Sequence, residues 1–135
     1  MPLLFISCNS DDNGDSNNDG SPPQNGFFYA ENGETNLTKA DNAWVNGDYN
    51  SIIAQNGGNT VVEIVLANLA EGTYDLSVPY AFTYVKGGLW EASAGTLTIT
   101  KNAGGKLSGT FDATAGSGVS GVNSVKGKFD NIPIN

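Results

Sequence analysis

From Gly26 onward, glycine or asparagine interrupts the chain every few residues, and the stretches between alternate apolar and polar side chains. Such punctuation leaves little room for helices and fits short strands joined by tight turns, the pattern of an antiparallel all-β domain. Asn32-Gly33, Asn46-Gly47 and Asn56-Gly57 are expected hairpin turns, because both residue types accept the positive φ of a type I′ turn. Strands are expected at 27–31, 36–39, 43–45, 51–55, 60–67, 73–78, 80–86, 89–92, 96–101, 106–115 and 124–129. Only 37–45 and 66–71 could hold a turn or two of helix.

Residues 60–66 (TVVEIVL) are apolar on both faces except at Glu63, which predicts a mid-sheet strand with Val62, Ile64 and Leu66 toward the core. Tyr74/Leu76/Val78, Leu97/Ile99 and Leu107/Phe111 alternate on one side, leaving Thr73/Asp75/Ser77, Thr96/Thr98/Thr100 and Lys106/Ser108/Thr110/Asp112 for water. Short connections favour pairing between sequence neighbours. The expected architecture is therefore a meander folded into a two-sheet β-sandwich, with a small closed β-barrel as the alternative.

Charge and composition remove several functions. The 135 residues carry a net charge of -8, of which Asp11, Asp12, Asp15 and Asp19 supply about half. All six basic residues are scattered lysines (Lys39, Lys86, Lys101, Lys106, Lys126, Lys128), so no basic cluster exists to neutralise a row of phosphates, and nucleic acid is not an expected partner. Histidine is absent, which removes the commonest general base and zinc ligand. No glycine-rich nucleotide loop occurs either, and no cofactor is expected.

The single cysteine, Cys8, follows the apolar run Leu3-Leu4-Phe5-Ile6-Ser7 and precedes a long acidic stretch. One cysteine forms no internal disulfide. Its setting looks like the end of a bacterial lipoprotein signal peptide, although Phe5 stands where leucine is usual and no lysine precedes Leu3, so the start reads as truncated or misassigned. Residues 1–8 are thus expected to be a signal remnant ending in a lipidated Cys8, and several acyl chains there would anchor the protein durably to a membrane. Residues 9–25 lack apolar side chains and are expected to be an unfolded acidic tether, with residues 26–135 forming the sandwich. The run 15–20 (DSNNDG) fits the first half of an EF-hand calcium loop, but Gly26 occupies the position of its essential glutamate.

Five stretches carry a resemblance: 62–66 followed by Gly72-Thr73-Tyr74-Asp75-Leu76, then 94–100 (AGTLTIT), 106–111 (KLSGTF) and 126–134 (KGKFDNIPI). Together they resemble a family of small Bacteroidota lipoproteins of unknown function, over roughly residues 59–134. The resemblance implies an exported, acylated all-β domain without assigned catalytic residues. Asn9-Ser10-Asp11-Asp12 after the cysteine is similar to the signal that sends such lipoproteins to the outer face of the outer membrane.

Candidate binding residues are aromatic. Tyr80, Phe82 and Tyr84 would share one face of a strand, with Trp90 close behind and Trp44 upstream. Such rings either fill the core, the preferred reading, or stack on a ligand such as a sugar. The carboxylates Glu63, Asp75, Glu91 and Asp112 could in principle hydrolyse glycosidic bonds, but they sit singly on water-facing positions. Asn36-Leu37-Thr38 matches a glycosylation acceptor that a bacterial protein would not use. The leading expectation is a non-enzymatic, surface-exposed binding module for a glycan or protein ligand. Alternatives are a structural or adhesive subunit assembling by strand addition and a carboxylate-dependent glycan hydrolase.

Overall fold

The computed structural model describes residues 25–135. Cys8, the calcium-loop-like run at 15–20 and nearly all of the 9–25 tether lie outside the described residues. The described chain is all β, with strands β1 (Gly26–Glu31), β2 (Thr38–Lys39), β3 (Asn42–Asn46), β4 (Ser51–Asn56), β5 (Asn59–Val65), β6 (Gly72–Asp75), β7 (Phe82–Val85), β8 (Leu89–Glu91), β9 (Ala94–Ala103), β10 (Lys106–Thr114) and β11 (Ser124–Pro133). Every expected strand is present. The two candidate helical turns are instead β2–β3 and a crossing loop.

The strands form two antiparallel sheets packed face to face as a β-sandwich, not a closed barrel. One sheet has the order β2-β1-β11-β10-β9-β6 and the other β3-β4-β5-β7-β8. Sequence neighbours pair in most of the molecule, but the meander is broken at β6. That strand leaves the five-stranded sheet to pair with β9, so β5 pairs with β7 instead. β1 also pairs with β11, joining the two ends of the domain in one ladder.

Turn chemistry explains the small departures in register. Asn32 (φ 56°) and Gly33 (φ 76°) adopt the expected left-handed pair. After β4 the left-handed pair is Gly57-Gly58, one residue later than expected, because two glycines meet the type I′ requirement better than Asn-Gly. Gly104-Gly105 makes the equivalent turn between β9 and β10. Asn46-Gly47 is not such a turn: Asn46 Oδ1 accepts the Asp48 N–H at 3.0 Å, and the left-handed residue is Asn50 (φ 52°).

Alternation puts Val62, Ile64 and Leu66 inside while Glu63 faces water, as expected for β5. Leu97, Ile99, Leu107 and Phe111 line the core from the opposite sheet. Val78 departs from its expected inward place. β6 stops at Asp75, whose carboxylate accepts the Ser77 N–H at 2.8 Å and turns the chain, leaving Val78 57% exposed.

The core is shaped by two reciprocal pairs on β10 and β11, Gly109 opposite Phe129 and Phe111 opposite Gly127. Each ring folds over its facing glycine: a Cβ on Gly109 would stand 2.6 Å from Phe129 Cζ, and one on Gly127 2.8 Å from Phe111 Cζ. Backbone lies closer still, with Thr98 O 2.3 Å from the Gly109 position. Gly109→Ala should therefore lower stability in chemical denaturation by at least about 1–3 kcal/mol, the cost of overpacking. Gly88→Ala, whose new methyl would meet only Val119 Cγ2 at an ordinary 3.4 Å, should change it by less than half as much.

Candidate functional site

β7 begins at Phe82, not Tyr80, and this divides the aromatic stripe. Phe82, Tyr84 and Trp90 point inward and are almost wholly buried, so none offers a ring face to a ligand. Phe82 packs edge-on to Trp90 with centroids 6.2 Å apart and meets Phe111 of the facing sheet at 5.5 Å. Trp44 is half-buried on the outer face of β3, and Tyr80 is 70% exposed ahead of β7.

Tyr80 occupies a turn that would suit another residue better. The Ala81 N–H donates to the Val78 carbonyl at 3.0 Å, Pro79 takes the second position, and Tyr80 takes the third with φ 64°. This is a type II turn, whose third position asks for glycine. A side chain held there costs about 1–2 kcal/mol. The Glu91 carboxylate secures the strained residue by accepting the Tyr80 N–H at 2.8 Å.

Beside this turn, where the chain crosses from β5 to β6 and back to β7, lies a cleft of about 440 Å³. Its walls are mainly apolar and come from Val65, Tyr74, Val78, Pro79 and Tyr80, with Asp75 as the charged member. The Tyr74 hydroxyl is already engaged, within 2.8 Å of Asn68 Oδ1 and 2.5 Å of the Ala70 carbonyl. Hydrogen bonds from the Ser77 backbone and side chain hold the Asp75 carboxyl below the ordinary aspartate range, so the cleft carries a fixed negative charge.

The outer face of the five-stranded sheet presents one row across every strand: Trp44, Ile53, Glu63, Thr83 and Glu91. Of the carboxylates considered for hydrolysis, Glu63 and Glu91 share this open face, Asp75 lines the cleft, and Asp112 belongs to the other sheet. No group of three or more metal-ligating side chains occurs among the described residues.

The opposite end of β7 is closed by polar contacts. Tyr84 donates its hydroxyl proton to Glu31 Oε2 at 2.5 Å, and Lys86 Nζ lies 2.8 Å from Glu31 Oε1. Asn56 Nδ2 donates to the Tyr29 hydroxyl at 2.7 Å, and the Tyr29 and Tyr84 rings meet edge-on at 5.9 Å. These contacts link β1 of one sheet to β4 and β7 of the other.

Tyr80 was legible in the sequence as a candidate but its turn was not, although Pro79 ahead of it carried a turn signal. That Asp75 and Tyr80 line one cleft, with Glu91 bonded to the Tyr80 N–H, was not legible, since these residues come from β6, the loop between β6 and β7, and β8. No known protein family, curated protein or solved structure matches this chain.

Burial raises the Glu31 pKa, but hydrogen bonds from Lys86 and Tyr84 outweigh it and leave the carboxyl below its ordinary value of 4.5. A group depressed in the folded state adds stability above its unfolded pKa and loses it as pH falls through the folded one. Thermal melting from about pH 6 to about pH 3 should thus show an acid loss beginning near that ordinary carboxylate value, and Glu31→Gln should make the loss shallower.

Proposed function

We propose that this chain is a non-enzymatic binding module, held at the cell surface by lipid on Cys8 and an acidic tether, that receives its ligand in the cleft beside Tyr80. One observation carries the binding reading. A tyrosine sits where glycine would fold better, its backbone strained and its ring open to solvent at the mouth of an apolar cleft. Strain kept at an exposed aromatic points to contact with a ligand rather than to folding.

The address rests on the order of residues 1–19, an apolar run, then Ser7-Cys8, then acid. The resemblance to Bacteroidota lipoproteins extends this to the outer leaflet of the outer membrane. No helix among the described residues is long and apolar enough to cross a membrane. Attachment in this reading is through acyl chains alone.

Assembly by strand addition has less support. The edge of β3 is met by the C-terminal segment, with the Asn135 N–H donating to the Val45 carbonyl at 2.8 Å, and β8 is met by Ser117. β2 is only two residues long and β6 only four. A short or covered edge is a poor template for another subunit.

Tyr80→Gly separates a folding role from a binding role. The variant should melt several degrees higher, since about 1 kcal/mol shifts Tm by about 4–8 °C in a domain near this size. It should also lose the ligands that the unaltered chain retains on glycan and peptide arrays. A lower Tm, or an unchanged array pattern, would remove the cleft from the proposal.

For the address, protein extracted from native membranes should yield a Cys8 peptide heavier by the mass of its acyl groups. Recovery of that peptide as a free thiol from the soluble fraction would count against anchoring.

A further inference from the structure

We infer that the cleft beside Tyr80 takes a basic side chain of an extended peptide, its aliphatic stem on the apolar wall and its charge between the Tyr80 ring and the Asp75 carboxylate. This rests on the reading of the cleft as the binding site and names the chemistry of what enters it.

Charge complementarity supports the cation. Two carboxylates hold the region, Asp75 in the lining and Glu91 on the Tyr80 N–H, and no lysine lines the cleft. Three of the six lysines are committed elsewhere: Lys39 and Lys128 lie over the Phe28 ring at 5.9 and 5.4 Å, and Lys86 pairs with Glu31. The whole chain adds an attractive field for cations through its net charge of -8. An anionic ligand would meet repulsion from every nearby charge.

The lining also argues against a sugar in this cleft. A sugar ring carries hydroxyls on most of its edge, and each one buried without a partner is costly. Here the Tyr74 hydroxyl is already bonded, so Asp75 and the Tyr80 hydroxyl are the side-chain polar groups on offer, too few for the hydroxyls of a sugar ring. A lysine or arginine side chain matches the arrangement better. Its methylene stem suits apolar walls, and its head can sit on a phenol face and beside a carboxylate at once.

The peptide source follows from β6, which forms both a wall of the cleft and an edge of the six-stranded sheet. The Leu76 N–H donates to the Gly95 carbonyl at 2.9 Å, so Leu76 and, by alternation, Tyr74 and Gly72 direct their backbone groups at β9. Thr73 and Asp75 therefore turn theirs toward the open edge, where an extended backbone can pair with them. A strand of four residues offers room for a short segment rather than for a whole subunit strand.

The test titrates the full chain at low salt by two-dimensional NMR. Its probes are acetyl-Leu-Lys-Leu-amide, the same peptide with Nε-acetyl-lysine, the same peptide with glutamate, and cellohexaose. The lysine peptide should shift the amides of Val65, Asp75 and Tyr80 and bind about tenfold tighter than its acetylated form, the combined effect of an exposed cation–π contact and one surface ion pair. That margin should fall to about threefold in Asp75→Asn, which can still accept the Ser77 N–H and keeps the cation–π contact, and should shrink in high salt.

Equal binding of the lysine and acetyl-lysine peptides at these amides would overturn the cationic inference and leave the cleft reading standing. So would tighter binding of the glutamate peptide or of cellohexaose there. Shifts confined to another face would overturn both. No shift with any probe would overturn the inference, while the cleft reading would still be judged by the Tyr80→Gly pair of measurements.

Discussion

Two glycines that lie under two phenylalanines set the spacing of this sandwich. Gly109-Thr110-Phe111 on β10 and Gly127-Lys128-Phe129 on β11 carry the same Gly-x-Phe spacing and run antiparallel, so each glycine must face the other strand's ring. With no Cβ below them, the rings lie over the backbone instead of standing off it. Phe27 of β1 stacks on both, at 5.2 Å from Phe111 and 6.2 Å from Phe129. Phe82 then reaches Phe111 from the facing sheet. The inward rows of both sheets are arranged around this stack, as is the ladder that joins β1 to β11.

Most of this architecture was legible in the sequence because it is local. Alternation reports which side chains share a face, and Gly/Asn pairs report where a strand must reverse, so the existence and order of the strands could be read directly. The failures are non-local. Whether β6 pairs with β5 or crosses to β9 depends on how many inward residues the strand can supply. Only Leu76 near its end is fully buried, because the Asp75–Ser77 turn ends the alternation before Val78. The site was legible only in part for the same reason. Alternation through Tyr80, Phe82 and Tyr84 suggested one shared face, yet the type II turn detaches Tyr80 from that row. Trp44 and Trp90 likewise looked equivalent in sequence, and only the register of β3 and β8 sends one outward and the other into the core.

The two ends of β7 are built to different purposes. At its C-terminal end, Tyr84 and Lys86 converge on Glu31 of the other sheet, a charge-assisted arrangement stronger than a neutral hydrogen bond. At its N-terminal end the sheets part around the crossings to and from β6, and the gap is lined by apolar groups with few polar partners. A sandwich pinned at one end can leave the other open without loss of register.

In the proposed binding role, the turn at Tyr80 is where folding and function pull apart. A domain of this kind has a net stability of about 5–15 kcal/mol, so a strain of about 1–2 kcal/mol is a sizeable fraction of it. Glycine at the same position would relieve the strain and keep the Val78–Ala81 hydrogen bond. The Glu91 contact would survive too, since it is made to the backbone N–H. What glycine would remove is the ring alone, a large flat surface projecting from a backbone fixed by Pro79 on one side and by Glu91 on the other. With the backbone already fixed, meeting a ligand would order only the two side-chain torsions of the ring, and in the proposed binding role that is the advantage of placing it on a strained turn rather than on a loose loop.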